Sequence, residues 1–367
     1  MFSIYISASA LANAYLQEGE KPFKEQSEWF KILRKQTVVF TYGYVPTDGF
    51  DFENGLSVSH TIEEFGQAYE ILVQPADEYI SQILANNQKV LDHPNAAFFL
   101  DIEAEKAQDI QSQYGVICQA TDSIDSKVFT KSCIGTNLVK DQETTKGWES
   151  ILKIPTELPS NSLCIVDRFL FAEDGKNKFG YNTIGFDNIS LILYYALPNS
   201  FNDEYHITII TDRNNIKSGI IFQTMSDKLI HLVNILAEKK GYPIKLEFLA
   251  IDVNNKATKY TQPFIHNRQI FSNYYHINFP NGVNILYFKK GGKSFAKYNQ
   301  FIKGTLLYND SLDYIESDPI ISVIESYRRR FKEIIIDWKA GKDVGYYSYA
   351  DNHGNLGIKN LELTHFS

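Results

Sequence analysis

Three polar residues of the C-terminal half, His266, Arg268 and Asn273, are of types that handle phosphate groups. An imidazole can attack a phosphorus atom or transfer a proton, and a guanidinium can bind a phosphate through two parallel hydrogen bonds. An asparagine can hydrogen-bond an imidazole, but it cannot stabilise the charged imidazolium as a carboxylate does. This trio therefore comprises our candidate catalytic residues, or a site that holds phosphate without chemistry.

A lysine-rich turn follows the trio. The sequence Lys289-Lys-Gly-Gly-Lys293 is basic and rich in glycine, and Lys297 comes shortly after it. Backbone amides and ammonium groups in such a turn can surround a phosphate, although the glycine spacing is not that of a P-loop. The candidate phosphate-binding residues are Lys289, Lys290, Lys293 and Lys297. The competing interpretation is a solvated hairpin tip.

The stretch Phe264–Leu286 resembles the signature of the phospholipase D superfamily. In that signature a lysine stands two residues after a histidine and an aspartate five residues later, which is the spacing of the trio. The stretch is more closely similar to the C-terminal, phospholipase D-like domain of microtubule-interacting-and-trafficking (MIT) domain proteins and of bacterial relatives. Those domains have a His-Asp-Arg triplet, from which Asn267 departs. The resemblance covers residues 160–367 and implies a mixed sheet flanked by helices.

The resemblance also implies what catalysis would require. Catalytic members combine two copies of the motif, so that one histidine attacks phosphorus and the other protonates the leaving oxygen. This chain has one copy, and the strand Ile165–Arg168, which can face it, has no histidine. A homodimer would bring in a second His266. Three interpretations stay open: catalysis, phosphate binding without catalysis, and a His-Arg pair that is only structural.

The overall charge narrows the kind of partner. The chain has 367 residues, of which 36 are basic and 44 acidic, whereas proteins that grip nucleic acid over their whole surface are usually basic. Any contact with nucleic acid or anionic lipid must therefore come from a local patch. The 3 cysteines form no CxxC pair, which favours free thiols in a reducing cytoplasm. No apolar run is long enough to span a membrane, and we expect neither a metal nor a cofactor.

Alternating strand and helix patterns predict an α/β protein with two domains. Prolines and small polar residues at 153–162 suggest a boundary between an α/β domain over 1–152, whose role stays open, and the phospholipase D-like domain over 160–367. We predict strands at 37–42, 97–101, 115–118, 163–171, 205–211, 244–250, 265–276 and 283–289. We predict helices at 23–36, from Thr61, at 75–90, up to Gln113, and at 219–240 and 319–339, and a short helix or buried segment at 187–196.

These observations favour recognition of a phosphate backbone, with nucleic acid as partner, by His266, Arg268 and the Lys289–Lys297 turn. Whether the protein is an enzyme stays open. By analogy with bacterial proteins that carry such a domain, we expect a cytoplasmic component of an anti-phage defence or mobile-element system. The alternatives are a dimeric phosphodiesterase or nuclease, a protein-interaction scaffold, and a peripheral phospholipid-binding module.

Overall fold

A computed structural model describes most of the chain in two compact units. The described residues are 3–36, 38–43, 57–125, 134–144, 147–152, 158–177, 180–216, 222–254, 266, 268–289, 293–306, 333, 337, 340 and 345–350. Those up to residue 125 belong to the first unit, and those from residue 134 belong to the second. Strands and helices alternate in the chain, which confirms the predicted α/β class.

The first unit is built on a parallel sheet of five strands. Its strands are β1 (Ile4–Ser7), β2 (Val38–Tyr42), β3 (Leu72–Pro75), β4 (Ala97–Leu100) and β5 (Ile117–Ala120). Its helices are α1 (Ala8–Glu18), α2 (Glu28–Leu33), α3 (Val58–Tyr69), α4 (Asp77–Ala85) and α5 (Ala104–Tyr114), with short 3-10 turns at Phe23–Glu25 and Asn87–Asp92. The strand order is β3-β2-β1-β4-β5, that of an open, doubly wound sheet. Strands β1 and β4 are buried along their whole length, as expected for central parallel strands.

Two helix starts in this unit differ from the prediction. Helix α3 begins at Val58, not at Thr61, because the Ser57 side chain accepts a hydrogen bond from the His60 amide at 3.1 Å and caps the helix. Pro75 was predicted to open a helix, which is wrong: it ends β3, and α4 begins at Asp77. A proline suits both the end of β3 and the first position of a helix, because neither position needs the N–H that proline lacks.

The second unit is built on a mixed sheet of eight strands. The strands are β6 (Ile134–Leu138), β7 (Ser162–Val166), β8 (Gly175–Asn177), β9 (Gly180–Asn182), β10 (Tyr205–Asp212), β11 (Ile244–Ile251), β12 (Gln269–Ser272), β13 (Tyr275–Asn278), β14 (Leu286–Phe288), β15 (Ser294–Ala296), β16 (Gln300–Leu306) and β17 (Gly345–Ala350). The helices are α6 (Trp148–Ile151), α7 (Ile184–Ala196) and α8 (Phe222–Lys240), with a 3-10 turn at Arg213–Asn215. The main sheet has the order β17-β11-β10-β7-β12-β13-β16-β6, and β14-β15 and β8-β9 form separate hairpins.

The second unit begins earlier in the chain than the predicted boundary. Strand β6 pairs with β16, so residues 134–138 belong to the mixed sheet although they precede the proline-rich segment at 153–162. Proline and small polar residues indicate a break in secondary structure, and such breaks occur within domains as well as between them. The sheet pairing that assigns β6 to this unit joins segments far apart in the sequence.

The predicted strand over 265–276 is wrong in one respect. It is two antiparallel strands, β12 and β13, separated by Asn273 and Tyr274. The Ser272 hydroxyl accepts hydrogen bonds from the amides of Tyr274 and Tyr275 and thereby stabilises the turn. The turn at 280–282 leads from β13 toward β14, which do not pair with each other: β13 pairs with β16 and β14 with β15. Of the predicted helix over 319–339, only residues 333 and 337 are described, and both are helical.

His276 on β13 should make the stability of this sheet depend on pH. Its ring stacks on Phe271, and its Nε2 atom is buried with no hydrogen-bond partner among the described residues. Burial lowers the pKa of His276 to about 4. Because the unfolded chain takes up this proton near pH 6.5 and the folded chain does not, stability falls as pH drops from 6.5 toward 4.

Replacing His276 with phenylalanine should remove the part of the pH dependence of stability that this histidine causes. Between pH 8 and pH 5 we expect the wild-type free energy of unfolding to fall by about 2 kcal/mol more than that of His276→Phe, measured by urea unfolding. The exposed His231 on α8 offers the matched control, His231→Phe. Equal pH dependence in all three proteins would contradict the burial described for His276.

Candidate functional site

The strongest candidate site lies where three parallel strands of the mixed sheet end. Strands β7, β10 and β11 run parallel, so their carboxyl ends meet at one edge, called here the carboxyl edge. Strand β12 runs antiparallel to β7 with Gln269 opposite Val166, so the residues just before β12 reach the same edge. Ligands of open α/β sheets bind at such edges. Its polar and aromatic residues include Asp167, Arg168, Phe169, Asp212, Asn214, Asp252, His266 and Arg268.

A buried carboxylate orients Arg168. Asp212, the last residue of β10, is fully buried, and its Oδ2 accepts a hydrogen bond from Arg168 Nε at 2.9 Å. The other oxygen, Oδ1, accepts from the Asn214 amide at 2.9 Å. Asn215 also donates to Asp212 Oδ2 at 3.1 Å. Since one carboxylate holds both the arginine and the following turn, the guanidinium is fixed relative to the sheet before any ligand arrives.

His266 contacts the same guanidinium. Arg168 Nη1 lies 2.5 Å from His266 Nε2, and because a guanidinium only donates, Nε2 accepts and the ring proton resides on Nδ1. Desolvation, followed by the charges of Arg168 and Arg268, lowers the pKa of His266, although Asp212 acts in the opposite direction. At neutral pH the ring is therefore uncharged. It acts as a hydrogen-bond donor through Nδ1, while Nε2 is engaged by Arg168.

Arg268 is half-buried and incompletely paired. Its Nη1 donates to the carbonyl of Pro280 at 2.6 Å, whereas its Nε is buried with no hydrogen-bond partner among the described residues. Gly282, which has φ +97°, lies beside this side chain and makes room for the neighbouring Asp167: a Cβ there would lie 2.8 Å from Asp167 Oδ2 but at an ordinary contact distance, 3.6 Å, from Arg268 Cδ. A buried donor without a partner is unusual and calls for a ligand or water.

Asp167 anchors the turn that follows β7. It is 1% exposed, and its two carboxylate oxygens accept hydrogen bonds from the amides of Phe169 and Val283, each at 2.8 Å. Desolvation raises the pKa of Asp167, and these amides, Arg268 and Lys297 oppose that rise. Asp167 therefore ties together the end of β7 and the segment after Gly282, with its charge directed inward.

Phe169 is 37% exposed, and the charged groups of the site lie close to its ring. The guanidinium carbons of Arg168 and Arg268 lie 5.4 and 5.5 Å from its ring centroid, within the range of cation–π attraction. The His266 ring approaches it edge-on, with 6.3 Å between centroids. The carboxyl edge thus combines two guanidiniums, a neutral imidazole and a partly exposed aromatic ring.

The structure brings two members of the predicted trio together and places the third elsewhere. Asn273 is fully buried, and its Oδ1 accepts a hydrogen bond from the amide of Asn161, the residue before β7, at 3.3 Å. It therefore lies at the amino end of β7, whereas His266 and Arg268 lie at the carboxyl end, roughly 17 Å away for a five-residue strand. The four residues of β12 carry the chain across the sheet between them.

The predicted lysine cluster is dispersed among local partners. Lys293 Nζ lies 3.0 Å from Glu143 Oε2, and Lys297 forms an ion pair with Glu173. Lys289 lies over the ring of Phe295, 4.1 Å from its centroid. Lys290 lies outside the described residues. Among the described lysines of this cluster, Lys297 is the one whose charge acts on Asp167 at the carboxyl edge.

Sequence reasoning missed Phe169, Asp212 and the role of Arg168. The prediction extended β7 to residue 171, which made Arg168 and Phe169 strand residues, whereas the strand ends at Val166. A signal existed: Asp-Arg dipeptides at 167–168 and 212–213 each follow a run of mostly apolar or β-branched residues. Polar residues immediately after parallel strands indicate a carboxyl edge.

Other site types find no support in the described part of the chain. It contains no cluster of histidine, cysteine and acidic residues arranged to hold a metal ion. None of its helices is long and apolar enough to cross a membrane. Cys118 and Cys164 are free and buried; burial raises the pKa of Cys118 to about 12, so it is not a nucleophile. Cys133 lies outside the described residues.

Comparison with protein-family models, curated proteins and solved structures finds no match to this chain. Its function is therefore inferred from the chemistry of the carboxyl edge.

Proposed function

We propose that the second unit recognises the phosphate backbone of nucleic acid at its carboxyl edge without cleaving it. The observation that carries this proposal is the convergence of two guanidiniums, Arg168 and Arg268, beside the exposed His266. A guanidinium matches the geometry of a phosphate, and two guanidiniums at one site attract an anion. The resemblance to phospholipase D-like domains supports the same ligand class.

The unfilled hydrogen-bonding capacity of the edge supports an anionic ligand. Arg268 has a buried Nε without a described partner, and His266 has an Nδ1–H donor, while Arg168 is already oriented by Asp212. A phosphate offers several acceptor oxygens to such donors. The carboxylates named at the edge are already engaged: Asp167 and Asp212 are buried and hydrogen-bonded, and Asp252 pairs with Arg213 at 2.8 Å.

The same geometry argues against hydrolysis by this unit alone. The nitrogen of His266 that would attack phosphorus accepts a hydrogen bond from Arg168. A second histidine is needed to protonate the leaving group. Among the other described histidines of this unit, His206 is the second residue of β10, at the opposite edge of the sheet, His231 is exposed on α8, and His276 lies within β13. Asn273, the counterpart of the orienting aspartate, is at the far end of β7.

By analogy with bacterial proteins that carry such a domain, the biological setting we propose is a defence or mobile-element system in which nucleic acid is the partner.

Charge removal at Arg268 tests the proposal. We expect Arg268→Gln to weaken binding of a labelled oligonucleotide about tenfold or more, measured by fluorescence anisotropy, because a charge-assisted phosphate contact is lost. The slope of log affinity against log salt should fall by about one unit. Lys293→Gln is the matched control, since it removes the same charge from an exposed residue paired with Glu143.

Three results would overturn this assignment. Equal loss of affinity in Arg268→Gln and Lys293→Gln would mean that binding reflects net charge alone. Cleavage of DNA or RNA that is indifferent to EDTA and abolished by His266→Ala would instead establish the phosphodiesterase alternative. Wild-type protein that binds neither polymer contradicts nucleic-acid recognition.

A further inference from the structure

Phe169 offers a stacking surface at the edge where the guanidiniums converge. Building on the proposed function, we propose that Phe169 receives a nucleobase, and that the ligand is consequently single-stranded nucleic acid. The ring is 37% exposed, and both guanidinium carbons lie within 5.5 Å of its centroid. When Arg168 and Arg268 bind neighbouring phosphates, the base between those phosphates would lie at the Phe169 ring.

The backbone holds this ring in place without help from ligand. The Phe169 amide donates to the buried Asp167 carboxylate at 2.8 Å, and the next two residues, Leu170 and Phe171, are fully buried. Asn284 donates to the Leu170 carbonyl at 2.7 Å from across the turn. A large apolar ring is thus fixed at the surface by its neighbours, so stacking immobilises little that was free beforehand.

An exposed aromatic flanked by cations selects single strands over duplexes. Every nucleobase has a π-face, but in a duplex both faces are covered by neighbouring bases and only the edges are accessible. Single strands expose those faces, and proteins that bind them combine stacking platforms with basic groups that follow the phosphates. Arg168 and Arg268 beside Phe169 supply both components within one site.

The alternative ligand for an aromatic ring next to arginines is a membrane surface. The burial of the apolar residues around Phe169 argues against it. Insertion into lipid needs an apolar face of several residues. Around Phe169 the apolar neighbours point inward, since Leu170 and Phe171 are fully buried. A single aromatic ring beside two guanidiniums is better matched to one nucleobase and its phosphates than to the acyl-chain boundary of a membrane.

An abasic oligonucleotide separates base recognition from phosphate recognition. The probes are a labelled single strand of thymidine, an abasic strand of equal length, the corresponding duplex, and anionic vesicles of phosphatidylserine and phosphatidylcholine. We expect Phe169→Ala to weaken binding of the single strand about tenfold and to leave binding of the abasic strand unchanged, because one base stack is lost. Phe169→Trp should retain affinity.

Phe301 provides the matched control. It is 58% exposed on β16, in the same unit, and Phe301→Ala should leave every affinity unchanged. Thermal unfolding of each variant establishes that the fold is retained. If the alanine variant is unstable, the affinities of the wild-type protein for the thymidine and abasic strands still test the inference.

The outcomes distinguish this inference from the proposed function. Equal affinity of wild-type protein for the thymidine and abasic strands, unaffected by Phe169→Ala, overturns base stacking and leaves phosphate recognition standing. Absence of binding to any oligonucleotide, abasic included, overturns the proposed function itself. Vesicle binding that depends on Phe169, without preference for a single strand, overturns both in favour of a membrane ligand.

Discussion

Replacing Gly185 with alanine should destabilise the protein by about 4 kcal/mol or more. Gly185 lies in the first turn of α7, and a Cβ there would be 2.1 Å from the carbonyl oxygen of Leu170. No side chain can rotate away to relieve this contact, because the obstructing atom belongs to the backbone of a fully buried residue. Nearby, Asp174 Oδ1 would be 3.0 Å away.

The clash would also disturb the cap of α7. Asp174 is buried and accepts hydrogen bonds from the amides of Gly185 at 2.6 Å and Phe186 at 2.9 Å. Any shift of α7 that relieves the contact with Leu170 lengthens these bonds, and the helix loses the carboxylate that satisfies its first amides. The two effects act together, which is why the expected loss exceeds that of ordinary overpacking.

The measurement is urea unfolding, or soluble yield if the variant does not fold. Gly241→Ala is the control, because Gly241 has φ +79° but a Cβ there would meet nothing within 4 Å. That variant should lose only about 1 kcal/mol, from backbone strain. Similar losses in the two variants would contradict the close approach of α7 to Leu170.

The Asp212–Arg168 pair is the second position where one substitution should have a large effect. We expect Asp212→Asn to lower the free energy of unfolding by about 3–5 kcal/mol, because the guanidinium of Arg168, 17% exposed, would lose its carboxylate. The amide replacement keeps the volume, so the loss reports charge and hydrogen bonding. Oligonucleotide affinity should fall as well, since Arg168 is no longer oriented.

A double-mutant cycle checks the cause of this loss. Arg168→Met combined with Asp212→Asn should recover at least half of the stability lost by Asp212→Asn alone, because no uncompensated charge is left. Affinity for the oligonucleotide should not recover, because the phosphate-binding guanidinium is absent. Additive losses of stability would show that the two side chains are not energetically coupled.

The elements best predicted from the sequence are those with strong local patterns. The apolar stripe at helical spacing over 219–240 corresponds to α8, and the β-branched run at 205–211 and the alternating pattern at 244–250 correspond to β10 and β11. Strand ends were predicted less well. The pattern of 163–171 continues apolar past Val166, because Leu170 and Phe171 are buried in a turn, and burial in a turn leaves the same sequence signature as burial in a strand.

The candidate site, like the fold, was predicted from the sequence only in part. His266 and Arg268 are two residues apart, so their proximity needed no tertiary information. The spacing to Asn273 suggested a third member, but the chain between them is a strand that extends across the sheet, and extended backbone moves about 3.3 Å per residue. On a helix or a loop, residues with this spacing can lie close together. On an extended strand the same spacing holds them far apart.

By itself, the amino-acid sequence determined the α/β class, the positions of the most periodic elements and the proximity of an imidazole to a guanidinium. Only the tertiary structure decided what that pair contacts. Arg168 is 98 residues from His266 and 44 residues from Asp212, and all three meet because β7 lies between β10 and β12 in the sheet. Periodicity reflects which face of an element is buried, a local property, whereas strand order follows from the packing of the whole unit.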